Sequence, residues 1–435
     1  MPRWASNWPK KEQTMINIVF LGIIILVGLA IQSYSSLDIF NNATYALGLI
    51  LLSGYVAGNL AKRIKFPSIT GCILVGILVG PYGLSLITLK NVADLQLLNG
   101  LALSIIALTA GGELNFSRLR GNFRTIHFVL IFQTLIMIIG ITLFILLLRG
   151  LIPAFAVLNI KAAVAAGLLL GIISSASSPS TTLAVIVETR IRNRLTEIVL
   201  SIVMLKDIVI LFLFVIGLNI SRTLVGGSVF DQGKIVTTFL EIGGSLLSGV
   251  IIGLIIVLYL KFVKKDTVVF ILALSFFSYE IFKPLHLHPL LVMMVAGLVV
   301  ENFSREGDRL MKHLESLSPP IYVLFFTLAG AAVNLAYLKN MWLITIVIVL
   351  VRILLKYAGT WAGGTLIGEC RLVCRRMWMS FISQAGLSLG MAKIIEANFQ
   401  NFGQSLAVLI ISVIVINQII GPLLLKLFLT QSNRS

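Results

Sequence analysis

Apolar runs, each of about the length a helix needs to cross a hydrocarbon layer, recur from one end of the chain to the other. Fourteen can be marked, at 16–31, 43–61, 67–84, 96–113, 125–149, 161–187, 194–220, 235–260, 267–283, 287–302, 318–338, 341–368, 376–397 and 403–428. A span takes roughly 20 residues, and a backbone in lipid must satisfy its own polar groups, so runs of this kind fold as helices. With 58% hydrophobic and 12% charged residues among 435, and a mean hydropathy of +1.02, the chain carries more apolar surface than a water-soluble core needs. The sequence predicts an all-α polytopic membrane protein with 13–14 transmembrane helices.

The net charge of +17 raises the question of nucleic acid, and the placement of the basic residues answers it. Lys62, Arg63 and Lys65; Arg118, Arg120 and Arg124; Arg190, Arg192 and Arg194; Lys261, Lys264 and Lys265; Arg305, Arg309 and Lys312; and Arg371, Arg375 and Arg376 occupy every second connection. That alternation is the positive-inside bias of a multi-pass protein, and with fourteen spans it puts both termini in the cytoplasm. No nucleic-acid partner is expected; membrane lipid is. The first run follows Lys10 and Lys11 without a clear small-residue cleavage site and reads as an anchor helix. A compact chain without a transit-like leader points to the cell (inner) membrane.

Cys72, Cys370 and Cys374 cannot build a disulfide framework, and the latter pair lacks the further Cys or His that a metal site requires. His286 and His288 flank a helix start and read as loop residues. No nucleophile sits in a Gly-x-Ser-x-Gly setting, so neither enzyme activity nor a cofactor is expected, nor any metal beyond a transported cation.

The chain contains a repeat. "TAGGELNFSRLR" (109–120) and "LAGAAVNLAYLK" (328–339) align at a constant offset of 219, pairing Ala110 with Ala329, Gly111 with Gly330, Asn115 with Asn334, Leu119 with Leu338 and Arg120 with Lys339. In the topology above, one ends on the cytoplasmic side and the other outside, as inverted-topology repeats do in secondary transporters. The predicted organisation is an anchor and scaffold at 1–66, a first five-helix repeat at 67–220, linker helices at 221–286, a second repeat at 287–428 and a short cytoplasmic tail at 429–435.

The fourth helix of each repeat is interrupted. "SSASSPSTT" (174–182) sets Pro179 among hydroxyl residues, and "SQAGLSLG" (383–390) brings Gln384, Gly386 and Gly390 to the corresponding place. Unwound backbone at membrane depth is tolerated where it faces protein or a water-filled cavity, and its free carbonyls suit a cation. Next to these breaks stand intramembrane charges: Lys206 and Asp207 on the helix after the first, Arg352 and Lys356 on the helix before the second. Each costs ~2.5–3.5 kcal/mol to insert, so such groups are kept for pathways or pairing. A buried ion pair of Asp207 with Lys206 or Lys356 is one reading; alternate binding of a cation and a proton by Asp207 is the other.

Taken together these segments resemble the monovalent cation/proton antiporter superfamily, with a Kef- or Nap-type sodium/proton antiporter membrane domain. The likeness is carried, in order, by "AGNLAKRIKFPSITGCILVGILVGP", "LTAGGELNF", "SSASSPSTTLAVIVE", "HPLLVMMVAGLVVEN", "FFTLAGAAVNL" and "SQAGLSLGMA", over about residues 43–428. It implies two inverted five-helix repeats with two crossed discontinuous helices, and a homodimer. The family's two-residue ion motif, usually Asp-Asp or Asn-Asp, falls on Lys206-Asp207; the core lysine or arginine falls on Lys356, and the hydroxyl before the broken-helix serine on Ser177. Lysine in the first motif position is a departure, because it leaves two lysines beside one carboxylate.

The expected function is exchange of a monovalent cation, Na⁺ ahead of K⁺, for protons by alternating access. Asp207, Ser177, Ser178 and Gln384 would bind the ion, Lys206, Lys356 and Arg352 would tune the charge, and Glu188 would gather cations at an entrance. One carboxylate suggests one cation per proton if the lysines keep constant charge. The alternative on the same fold is a carrier or symporter of an anion such as bicarbonate, held by Lys206 and Lys356.

Overall fold

The computed structural model describes residues 10–33, 42–116, 120–151, 153–156, 158–191, 193–226, 232–263, 265–384 and 386–432. Arg118, Leu119, Arg192, Lys264 and the end of the expected tail, 433–435, lie outside them. The main helices are α1 (Lys10–Ser33), α2 (Ala43–Arg63), α3 (Ser68–Val79), α4 (Gln96–Gly112), α5 (Phe123–Leu148), α6 (Ile160–Ser175), α7 (Pro179–Thr189), α8 (Arg194–Gly226), α9 (Gln232–Phe262), α10 (Thr267–Phe282), α11 (Pro289–Phe303), α12 (Gly307–Ala331), α13 (Leu335–Leu366), α14 (Gly386–Asn398) and α15 (Gly403–Ser432). No strand occurs among the described residues, and each of the fourteen apolar runs falls mainly on helix. Nine helical segments in the described residues are long and apolar enough to cross a membrane, α6 and α7 counting as one; α3, α4, α10 and α11 are shorter apolar helices.

Two boundaries differ from the sequence expectation, each for a local reason. The run marked at 318–338 belongs to a helix that begins at Gly307, ahead of Pro319 and Pro320. Its first turns carry Asp308, Arg309 and Lys312 and look like a loop, but Leu310 and Leu314, four apart and therefore on one face, are fully buried and hold them helical. The run marked at 341–368 starts at a kink inside α13, where Met341 leaves helical geometry (φ −128, ψ 21).

The chain divides into two compact units: residues 1–105 with 315–335, and 106–314 with 336–435. In the first, Ile50, Val75, Val79, Leu86, Ile87 and Leu328 form a buried apolar core. Helices α3 and α12 touch backbone to backbone there: a Cβ on Gly76 would strike the Thr327 carbonyl, and one on Gly330 the Ile73 carbonyl. In the second unit α4 and α11 repeat that contact, with Gly111 against the Met294 carbonyl and Gly297 against the Leu108 carbonyl. The ends of α4 and α12 match as well. Glu113 N–H donates to Thr109 O (3.1 Å) and Leu114 N–H to Gly111 O (3.1 Å); 219 residues later Ala332 N–H donates to Leu328 O (3.0 Å) and Val333 N–H to Gly330 O (3.1 Å). The sequence repeat is thus also a repeat of helix termination and helix packing.

Both interruptions are real breaks within the second unit. Helix α6 stops at Ser175; Ala176, Ser177 and Ser178 are non-helical; α7 restarts with Pro179 at its first position and Ser178 Oγ accepting Thr181 N–H at 3.2 Å. Proline costs nothing there, because the N–H it lacks would have no helical partner. The second break is narrower than "SQAGLSLG" suggests. A 3₁₀ turn at Met377–Phe381 gives way to non-helical residues 382–384, and α14 begins at Gly386, so Gly390 is helical; Ala385 lies outside the described residues.

Candidate functional site

The two breaks meet. Ser178 N–H donates to Ser383 O at 2.9 Å, Ser177 Oγ to Phe381 O at 3.0 Å, and Gln384 Nε2 to Ile173 O at 2.8 Å. The last turn of a helix leaves four carbonyls without partners and carries the negative end of its dipole. Here α6 and the 3₁₀ turn bring two such ends together, and cations from α13 fill them. Arg352 is fully buried; its Nε donates to Ser174 O (2.8 Å), one terminal nitrogen to Ile382 O (2.7 Å), and the other to Ala176 O (2.8 Å) and Phe381 O (3.4 Å). One turn later Lys356, also fully buried, donates to Ser175 O at 2.6 Å and Ser177 Oγ at 3.2 Å. The carbonyls expected to await a transported cation are therefore engaged by the protein's own side chains.

The same holds for the hydroxyls and the amide picked out in the sequence. Ser177 Oγ bridges Lys356 and Phe381 O, and Ser178 Oγ caps α7. Gln384 Oε1 accepts from Asn417 Nδ2 at 2.9 Å while its nitrogen holds Ile173 O. All three are buried and lock the crossing.

Lys206 and Asp207 part company here, their Cα–Cβ bonds pointing about 100° apart on the helix. Lys206 is fully buried, its Nζ 5.0 Å from the centroid of the Phe381 ring and donating to Gln133 Oε1 on α5. Gln133, fully buried too, donates through Nε2 to Thr360 Oγ1 at 2.5 Å, and Thr360 donates to Lys356 O at 2.8 Å. Neither Gln133 nor Thr360 stands out in the sequence as a site residue. The signal available was a lone amide in the apolar run 125–149. Asp207 is half-buried and has neither a hydrogen bond nor an ion pair among the described residues, so the Asp207–lysine pair weighed in the sequence does not form.

Away from the crossing, Glu188 at the end of α7 accepts from Lys426 of α15 at 3.2 Å. A second acidic group lies between α13 and the next helix: Glu369 accepts from Thr125 and, at 2.6 Å, from Arg194, whose Nε holds Asn122 Oδ1 at 2.6 Å. Partial burial pushes the Glu369 carboxyl up, but the hydrogen bonds from Arg194 and Thr125 and the Arg194 charge outweigh it and hold the group below the usual carboxylate range. His288 stands at the start of α11, its carbonyl accepting from Val292 N–H at 3.0 Å and its own N–H donating to Ser245 Oγ of α9 at 2.9 Å. Among the described residues no three His, Cys, Asp or Glu side chains gather as metal ligands would.

Comparison with known proteins places this architecture. Residues 47–431 match the transmembrane sodium/hydrogen exchanger family. The chain is 23% identical over 404 residues to a probable Na⁺/H⁺ antiporter 3 of Methanocaldococcus jannaschii, an alignment covering 90% of this chain and 98% of that protein. The solved structure of the sodium proton antiporter MjNhaP1 from the same organism at pH 8 superposes with a TM-score of 0.65 at 15% identity, over 89% of this chain and 98% of that one. A structure of that antiporter from an electron-microscopy map gives 0.65 at 16% identity, over 90% and 94%. The fold is shared.

Proposed function

The chain belongs to the sodium/hydrogen exchanger family, a family of polytopic membrane transporters rather than enzymes, and on that premise we propose that it exchanges a monovalent cation, Na⁺ ahead of K⁺, for protons. Asp207 is the group that takes cation and proton in turn. The observation that carries this reading is the state of the charges around the crossing: Arg352, Lys356 and Lys206 are buried and engaged, whereas Asp207 is half-buried and makes no hydrogen bond or ion pair among the described residues. A carboxylate without an internal ion pair is available to a mobile cation, and a proton competes for the same oxygens. The engagement of both lysines argues against their serving as an anion site. Ser177, Ser178 and Gln384 enter the proposal as residues that fix the crossing beside the ion, and Glu188, tied to Lys426, as a charge near the end of α7.

The exchange runs by alternating access, one five-helix repeat, 67–220, being the inverted counterpart of the other, 287–428, with both termini cytoplasmic and the protein a homodimer in the cell membrane. The test is proton movement in proteoliposomes, followed with a pH-sensitive dye on addition of Na⁺, K⁺ or bicarbonate, for the wild type and Asp207→Asn. Cation-evoked flux in the wild type that disappears in the variant is the expected result. Silence to both cations with a response to bicarbonate would overturn it in favour of an anion carrier.

A further inference from the structure

We infer that Gln133 is a positioning residue: with Thr360 behind it, it pins the Lys206 ammonium away from the neighbouring Asp207 carboxylate and thereby sets the affinity with which Asp207 takes its cation. The inference rests on the exchange reading for its consequence and on geometry for its substance. A lysine stem is long and flexible enough for an unpinned ammonium to fold back onto the next residue's carboxylate, and inside a membrane protein little water screens that attraction. Such an internal pair would occupy the oxygens a transported cation needs. In this chain the ammonium is held elsewhere, on Gln133 Oε1 and beside the Phe381 ring.

Three features make the latch directional. Thr360 gives its hydroxyl proton to Lys356 O at 2.8 Å and so receives Gln133 Nε2 on a lone pair at 2.5 Å. An ammonium only donates, so the amide oxygen must face Lys206. Gly359, next to Thr360, lets α13 lie directly on α5: a Cβ there would sit 2.5 Å from Gln133 Cα. Finally, glutamine is neutral. It restrains the ammonium without supplying a second carboxylate, and Asp207 remains the one acidic group on this stretch of α8.

The experiment has two arms. In proteoliposomes, Gln133→Leu should raise the cation KM about tenfold with a smaller change in kcat, and Thr360→Val should move it the same way by less. Placed in a Lys206→Met background, Gln133→Leu should leave KM within about twofold of that background, because no ammonium remains to pin. An unchanged KM, or an equal rise in both backgrounds, would overturn the latch and mark Gln133 as packing only. The second arm needs no transport. Solid-state NMR on protein carrying ¹⁵N-lysine and ¹³C-aspartate reads the distance from the Lys206 ammonium to the Asp207 carboxylate. A contact absent in the wild type and present in Gln133→Leu, or in Thr360→Val should Gln133→Leu fail to fold, supports the latch; a contact already in the wild type, or in none, overturns it. A wild type silent to cations would sink the exchange reading while the second arm still judges the latch.

Discussion

Arg352 and Lys356 on α13 donate to backbone carbonyls, whereas Lys206 on α8 donates to a side-chain amide. All three are fully buried and lie around one crossing, so the difference is one of partner rather than of depth. Carbonyls at the ends of two broken helices exist in any sequence that breaks there, and they require cationic donors as a condition of the fold. The partner of Lys206 depends on which residue stands at one position of α5. The α13 cations therefore belong to the architecture, and Lys206 belongs to the tuning of the site.

Removing the α13 cations should break that division most visibly. Arg352→Met strands four carbonyl contacts in a dry interior, each buried acceptor left unmade costing ~1–3 kcal/mol, so a loss of folded protein in detergent is expected, measured by thermal unfolding monitored on a size-exclusion column. Arg352→Lys should fall between, because an ammonium lacks the planar fork that reaches carbonyls of both breaks. A variant as stable as the wild type would mean that the carbonyls find other donors. Lys356→Met loses two contacts instead of four and should cost about half as much by the same assay.

Lys206→Met sharpens the contrast. Methionine fills much of the lysine volume without a charge to bury, so the cost of stranding Gln133 Oε1 is offset by the desolvation avoided, and stability should stay within ~1 kcal/mol of the wild type. Its effect should appear in the cation dependence of exchange. A stability loss as large as that of Lys356→Met would place Lys206 with the architectural cations after all.

This division was only half legible in the sequence. Apolar runs betray helices because lipid leaves the backbone no other solution, and Pro179 among serines betrays a break because that ring cannot continue the preceding helix. Arg352 and Lys356 were conspicuous as intramembrane charges, but their carbonyl partners were not, since these depend on two helix ends, about 206 residues apart, converging on one point. Gln133 reads as a tolerated polar residue until the α5–α13 approach at Gly359 turns it toward Lys206. Glu188 invites pairing with nearby Arg190, yet an ion pair also joins it to Lys426, 238 residues away, which no local reading could anticipate. The start of α12 escaped for the opposite reason: its amphipathic first turns have loop-like composition, and only burial of Leu310 and Leu314 shows the helix.

The smallest effect belongs to charges at the exposed ends of the membrane-spanning helices, where water replaces the buried partners that matter at the crossing. Glu369 joins Arg194 and Thr125, but the Arg194 side chain is 52% exposed, so the pair is screened and worth no more than ~1 kcal/mol. The Glu369 carboxyl is held below its ordinary value of 4.5, so its contribution is fully present above that pH and is lost as pH falls through the range between the unfolded and folded values. Thermal unfolding of the wild type and Glu369→Gln should differ slightly at pH 7, by less at high salt, and not at all once the pH is well below 4.5. A gap that persisted in acid would have to come from the amide's altered hydrogen bonding with Thr125, since the charge would by then be gone from both proteins.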